Sequence, residues 1–514
     1  MSNLSYVDID GLVATLSQMG SPQAADLRKA LDSNSGYTGY SLVPQVKRFL
    51  PAYTVLRQRF ATDAEPQSSM AGLQAHYKAQ LGFGNFNFGA AMGTAFGANG
   101  TQTSPASVDI APYIKTQSIN ASVELEAIDF ARGFDDPLQQ QTIYNLQALL
   151  RLEELLTLGG NMVALDAPVP SGTAAGTGSV FAAGTWTVKV TAITEEGKIR
   201  NDTGAATPVG TYTPGESVPG TIGIVASGPQ LYLTVSWPVV AGAMGYKVYC
   251  SDVYNNSSDV YLLDPATEIA YKNGDAFVPT TTGQKWIGVN SIRIIAPPAG
   301  SVACPSTDGS ANANQFEGVA AWCEKTTMYG TDLSGYGDRV FTDMAGGTFT
   351  SDSSFGVKEI NDALQKLWTL YHTGPTLMAG SPQTIRALTN KIASQSMTRI
   401  DISQQKNRFV GGAFVGGYVN VYAQNAGFPG DIDLIAHPYM PDGKLLLLSE
   451  TLPMGTYRNQ NDSRCWAMGV LKPYTFWRLA STDRHVNFDV YFQETLKCAY
   501  PLPQSSISGI RVDA

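Results

Sequence analysis

The sequence predicts an α+β protein in which an all-β sandwich is inserted directly after one long helix. Three observations predict it. Asp136 to Gly160 reads as one amphipathic helix, and a glycine- and phenylalanine-rich stretch followed by a strand stands before it. From about residue 165 a run of small residues opens onto strands separated by Gly, Pro and Asn turns.

Composition sets the bounds. A chain of 514 residues has room for a sizeable core, in about two to four domains. Only 15% of residues are charged while 51 are glycine, which favours loops and strands over regular helix. The formal net charge is −9 and no Lys/Arg run interrupts it, which argues against a nucleic-acid binder. The five cysteines, Cys250, Cys304, Cys323, Cys465 and Cys498, are odd in number and form no CxxC, so reduced thiols in a chain made in cytoplasm are expected. The start MSNLSYVDID lacks a secretory pattern, and the longest aliphatic run, Leu445 to Leu448, is too short to span a bilayer. A soluble protein is expected.

Residues 1 to 62 read as an arm, with one short amphipathic helix around Leu12, Val13, Leu16 and Met19. Residues 81 to 100 carry glycines at 82, 84, 89, 93, 97 and 100 together with Phe83, Phe86, Phe88 and Phe96. Glycine alone would mean a free surface loop, but exposed aromatics want a partner, so an intersubunit loop is expected. Ile119, Ala121, Val123 and Leu125 then alternate with polar residues as a strand with one wet face.

In the long helix, Asp136 is placed to cap the first turn, Gln139 to complete a capping box, and Pro137 to occupy the first position. Leu138, Ile143, Leu146, Leu149, Leu150, Leu156 and Leu158 recur at helical spacing, and Gly159 and Gly160 stop the run. Such a helix is roughly 33 Å long, with too many leucines for a solvated strut.

The inserted stretch has its own core pattern. Trp186, Val188 and Val190 alternate with Thr187 and Lys189. Leu231, Leu233, Val235 and Trp237 share a face, and Tyr246 and Val248 follow after a turn. Small-residue linkers flank it, PVPSGTAAGTGSVFAAG at 168–184 and the APPAG of 296–300, so a self-contained unit is expected. After it the chain returns to mixed texture. Val357, Ile360, Leu364, Leu367, Trp368 and Tyr371 form a helix ended by Gly374 and Pro375, TLMAG is a short strand, and SPQTIRALTNKI starts with a Ser-Pro helix entry. The last 50 or so residues are rich in strand pattern.

Chemistry finds little footing. The four histidines, His76, His372, His437 and His485, form no ligand spacing. Asp431, Asp433 and His437 would share a face of one strand, the most tempting metal cluster, but solvated edge acids are the stronger reading. No nucleophile elbow, phosphate loop or catalytic-cysteine signature occurs. No enzyme activity, cofactor or metal is expected, so the catalytic, cofactor and metal sets are empty.

Two resemblances add to this reading. TWTVKVTAITEEGK and LYLTVSWPVVAGAMGYKVY resemble fibronectin type III and related immunoglobulin-like modules. The VKVTAITEEGK element precedes the Trp strand, so the reading is an immunoglobulin-like sandwich without a fixed strand order. The second half runs helix, TLMAG strand, SPQTIRALTN helix, polar loop, GGYVNVYAQNAG, DLIAHPYMP, and an ending with Glu494, Tyr500, Pro501, Pro503 and Ile507 to Gly509. It resembles the major capsid proteins of tailed phages, whose fold is named after Hong Kong 97. The resemblance implies a Hong Kong 97-type fold of spine helix, extended loop, peripheral and axial domains, plus the inserted sandwich. It partitions the chain as arm 1–62, extended loop and peripheral domain 63–164, insert 165–297, return to the peripheral domain 298–373, axial domain 374–455 and C-terminal peripheral strands 456–514. It implies hexamers and pentamers of the chain itself in an icosahedral shell, with portal, scaffolding or decoration proteins as further partners. It implies no sequence-specific nucleic acid, no membrane, assembly in the host cytoplasm and residence in the virion. The alternatives are a phage tail or fibre protein using the sandwich as an adhesin, and a carbohydrate-active enzyme with an accessory module.

Overall fold

The computed structural model describes residues 54–65, 73–84, 104–130, 136–202, 214–258, 260–263, 284–288, 290–294, 296–298, 303–352, 356–395, 417–420, 422, 430–451, 464–481 and 483–512. The described residues open with α1 (Val55–Arg59), β1 (Ala61–Ala64), the paired strands β2 (Tyr77–Gly84) and β3 (Ser104–Ile110), β4 (Lys115–Glu124), α2 (Leu125–Phe130) and the long helix α3 (Pro137–Gly159). Then come β5 (Ser171–Phe181), β6 (Gly184–Ile193), α4 (Glu195–Asp202), β7 (Gly220–Ala226), β8 (Gln230–Ser236), β9 (Gly245–Ser251), β10 (Val260–Leu262), β11 (Gln284–Gly288) and β12 (Ser291–Ile294). The return brings α5 (Val319–Glu324), β13 (Thr327–Met328), β14 (Thr331–Asp332), β15 (Phe341–Asp343), α6 (Lys358–Tyr371), β16 (Leu377–Gly380) and α7 (Pro382–Gln395). The chain finishes with β17 (Gly417–Val419), β18 (Asp431–Ala436), β19 (Leu445–Leu448), β20 (Trp466–Arg478), β21 (His485–Cys498) and β22 (Ser505–Ser508).

Helix α3 starts as its residues dictate: Asp136 Oδ1 accepts from Leu138 N (3.0 Å) and Gln139 N (3.3 Å), with Pro137 at the first position. Its end differs from expectation. Gly160 has φ −58°, not a left-handed value. Gly160 is needed for close approach instead: a Cβ there would stand 2.3 Å from Phe316 O, whereas one on Gly159 would meet the flexible end of Met244, its Cε at 2.3 Å. Helix α6 also ends differently, with His372 itself left-handed at φ 53° ahead of Gly374. The entry to α7 is capped by Ser381, whose Oγ accepts from Thr384 N at 3.1 Å.

Helix α3 lies on a four-stranded sheet of order β1-β20-β21-β4. The period-two pattern of β4 puts Val123 inside, and Leu149 of α3 meets it with Phe488, Val490 and Phe492 of β21. A six-stranded sheet of order β15-β22-β19-β16-β18-β17 holds the second centre. Its β19, LLLL, is buried at every residue, as a strand covered on both faces must be. The stretch expected as peripheral strands divides: β20 and β21 join the first sheet, whereas β22 lies between β15 and β19 in the second.

Residues 171–294 form two four-stranded sheets, β10-β9-β6-β7 and β11-β12-β8-β5, around one core. Trp186, Val188, Val190, Leu233, Val235, Trp237, Tyr246 and Val248 all lie buried in that core. Leu231 does not, being 45% exposed. It lies near the start of β8, opposite Gly176 and one residue from where the β5–β8 register breaks at Gln230, where no side chain of β5 stands across from it. Pairing with these sheets also continues past 297, because Ala303 bridges Tyr261 and Cys304 N donates to Val260 O (3.1 Å).

Two further expectations change. The end of the arm, 54–62, is no arm: Leu56 and Phe60 are buried in the main core, and Phe60 stacks on Trp466 at 5.4 Å. The sandwich is not self-contained either, since Met244 packs into the main core.

Candidate assembly site

Three regions of the molecule bear on what it does: a buried polar centre under α3, a seam to the sandwich, and an uncovered apolar end of the first sheet.

Glu153 and Glu154 sit among the leucines of α3 and are both fully buried. Buried carboxylates need partners, and α1 supplies them. Leu56 N and Arg57 N donate to Glu154 at 2.9 and 3.1 Å, and His437 Nε2 lies 2.8 Å from the same carboxylate. Glu153 accepts from Arg57 Nε and from the Tyr474 hydroxyl. Glu494 of β21 faces Glu153, and its Oε1 has no partner among the described residues. Burial, then the charge of Glu153, raises the Glu494 carboxyl well above the usual carboxylate range, so it sits protonated and hydrogen-bonded to Glu153.

The sign of the pH effect follows. A carboxyl whose folded pKa is raised contributes full stability below the ordinary carboxylate range and loses it as pH rises through the folded value. Glu494→Gln keeps the hydrogen bond and removes the titration. The variant should melt higher than wild type at about pH 8, with the gain vanishing toward about pH 4. Thermal melts across that range decide it; a pH-independent difference would show that Glu494 is ionised in the folded chain.

The seam is a second buried ion pair. Lys444 Nζ lies 2.9 Å from Glu324 Oε1, both side chains fully buried. Glu324 also accepts from Ser506, Ser508 and Gly242 N, and Lys444 donates to Ala243 O. The turn 242–244 of the sandwich is thereby fixed to β19, β22 and α5. Lys198 Nζ to Tyr439 O (2.6 Å) and Val239 N to Asp343 Oδ2 (3.0 Å) reinforce it.

The first sheet ends in apolar side chains that stay exposed among the described residues. Trp477 is 59% and Phe130 71% exposed, and Leu125, Phe476 and Leu479 are exposed beside them in sequence. The register places this end away from β1, which reaches only Ala467 to Val470 of β20. Large apolar groups gathered at one end of a sheet mark an interaction surface. Sequence reading passed over it because the WRLAS and AIDF segments looked like ordinary strand and helix termini.

Of the residues singled out from sequence, Phe83 lies in β2 opposite Pro105 of β3, while Phe86, Phe88 and Phe96 fall outside the described residues. The DIDLIAH trio is separated: Asp431 and Asp433 are exposed and His437 is fully buried on Glu154. Strand β18 stops at Ala436, so the alternation that would align His437 with the acids has ended. No group of His, Cys, Asp or Glu suited to a metal ion occurs among the described residues. No described helix is long and apolar enough to cross a membrane.

Comparison with known proteins gives a family match over residues 300–510, to the model described as SU10 major capsid protein. No curated protein matches the chain. Among solved structures it is similar to the capsid asymmetric unit of cyanophage A-1(L), at 9% identity over 93% of this chain and 98% of that chain, TM-score 0.43. It is also similar to the SrpI encapsulin complex of Synechococcus elongatus (8% identity, 94% and 96%, TM-score 0.39). A third is the capsid of Myoviridae phage XM1 (7% identity, 92% and 97%, TM-score 0.38). With TM-scores below 0.5 for these three, the family match carries the weight.

Proposed function

We infer that the chain is a major capsid protein, the repeated subunit of a tailed-phage head shell. The match of residues 300–510 to the SU10 major capsid protein family carries this reading. That span takes in α5, the whole of the six-stranded sheet, and β20 and β21. The role is structural rather than enzymatic, and the protein resides in the virion.

In finer detail, the fold is of the Hong Kong 97 type. Helix α3 is the spine, the four-stranded sheet is the peripheral domain, and the six-stranded sheet is the axial domain. Residues 171–294 are an inserted immunoglobulin-like sandwich, supported by two antiparallel sheets around a core of their own. The subunits form hexamers and pentamers, assemble in the host cytoplasm, and engage portal, scaffolding or decoration proteins. A net charge of −9 suits a wall that must not grip packaged DNA.

Negative-stain imaging and sedimentation of the purified protein test the reading. Closed shells, or rings of five and six copies, support it, and a persistent small oligomer overturns it. The loop carrying Phe83, Phe86, Phe88 and Phe96 is proposed as an intersubunit contact. Its aromatics would bury their area only on assembly. Replacing Phe83, Phe86 and Phe88 by Ser should leave the monomer's melting temperature nearly unchanged and block shell formation. An altered monomer melt with normal assembly would place the loop on its own subunit.

A further inference from the structure

Two of the five cysteines meet where the chain passes between its two larger sheets. Cys498 is the last residue of β21, and Cys465 stands immediately before β20. Both are buried, and their sulfurs lie 3.8 Å apart. Simple alternation would part them, because Trp466 is the residue opposite Cys498 and its neighbour Cys465 should face the other way. A bend at Cys465 cancels the alternation and turns that side chain to Cys498.

The backbone around both is pinned. Cys465 N donates to Glu450 O and Ala499 N to Cys465 O, each at 2.8 Å. The Tyr77 hydroxyl accepts from Cys498 N at 3.1 Å and donates to Cys498 O at 2.9 Å. Trp466 is held by its stack on Phe60. Closing the sulfurs to a bond of about 2 Å therefore asks for side-chain rotation, with the strands already in place.

The two thiols differ in their surroundings. Gln504 Nε2 donates to Cys465 Sγ at 3.2 Å, and the Cys465 thiol in turn reaches Tyr500 O at 3.3 Å. An N–H aimed at sulfur is the contact that an attacking sulfur anion needs. Burial, then Cys465 beside it, holds the Cys498 thiol well above the ordinary thiol range. Cys465 is thus placed to open an exchange and Cys498 to complete it.

We propose that Cys465 and Cys498 are a disulfide site, reduced while the chain is made and closed by a small-molecule disulfide once the particle has left the cell. Cys465 loses its proton to water and attacks one sulfur of the oxidant, which forms a mixed disulfide and releases one thiolate. Cys498, deprotonated in turn, attacks the Cys465 sulfur and releases the second. Two S–H bonds are lost and one S–S bond is made within the chain, and the two electrons reduce the oxidant to two thiols. The bond closes a loop over residues 465–498, which holds β20 and β21 whole. Such a cross-link restricts the unfolded chain and so favours the folded one. The timing rests on the capsid reading, since a particle passes from a reducing cytoplasm to an oxidising medium; the bond itself does not.

Thiol counting on the full-length protein tests it. Alkylated in the lysate under denaturant, the chain should show all five thiols. After purification and incubation with oxidised glutathione two should be lost, with peptide mapping joining Cys465 to Cys498. The melting temperature should rise by several degrees, a gain that added reductant removes. Cys323→Ala, on neighbouring α5, should close the bond as wild type does, whereas Cys465→Ala should keep its remaining thiols and melt alike with and without reductant. A folded wild type that retains five thiols in oxidant, or a bond mapped to another pair, would overturn the site, and neither result needs a variant to fold. A bond already closed in the lysate would overturn the timing. The count is blind to assembly, so sedimentation as a small oligomer would remove the capsid reading and the timing while the mapped bond stood.

Discussion

Leu149→Asp should abolish soluble expression. Leu149 is fully buried where α3 crosses the first sheet, enclosed by Val123, Phe488, Val490 and Phe492. The side chains that enclose it are apolar. An unpaired charge there costs roughly 5 kcal/mol or more, against a total stability of about 5–15 kcal/mol for a typical domain. Leu149→Met, which keeps the volume, should cost less than about 1.5 kcal/mol and assemble normally. Soluble yield and chemical denaturation of the pair separate lost packing from buried charge. A soluble, assembling Asp variant would mean that α3 turns a different face to the sheet.

The second large effect is expected at the seam. Lys444→Met takes the cation from Glu324, leaving that carboxylate with Ser506, Ser508 and Gly242 N as its hydrogen-bond donors among the described residues. Breaking a fully buried pair from one side costs about 3–5 kcal/mol. Adding Glu324→Gln removes the stranded charge while keeping an acceptor for the serines, so the double variant should recover more than half of the loss. Equal stability of the single and double variants would show that Lys444 contributes packing alone. Because Gly242 N and Ala243 O belong to the sandwich, the single variant should also loosen the sandwich, read as faster amide exchange at 240–246.

What the sequence disclosed was local. Asp136, Pro137 and the leucine spacing are sufficient to start α3, and the Trp186 and Trp237 strands announce their own core, because capping and period-two burial depend on neighbours in the chain. What it concealed was distant. Glu153 and Glu154 look like a polar interruption in LRLEELL, and their partners Leu56, Arg57, His437 and Tyr474 lie 96 or more residues away. Gly160 was legible as a glycine but not as a contact, since the atom that excludes a Cβ comes from Phe316. One signal was available and passed over: Leu56 and Phe60 are four apart in TVLRQRF, the spacing of a buried helical face, and it marks where the arm stops being an arm.

The strand order has a bearing on how the molecule is made. β21 is interior to the first sheet, between β20 and β4, and β22 is interior to the second, between β19 and β15. Both are translated after every strand they join, so a nascent chain emerging from the ribosome holds two sheets that each lack an inner member. Neither can close until residues 485–508 have left the exit tunnel, and both then close almost together. The outer strand β4 likewise acquires its register only with β21 behind it. A chain truncated before residue 485 would therefore lack an inner strand in both sheets at once.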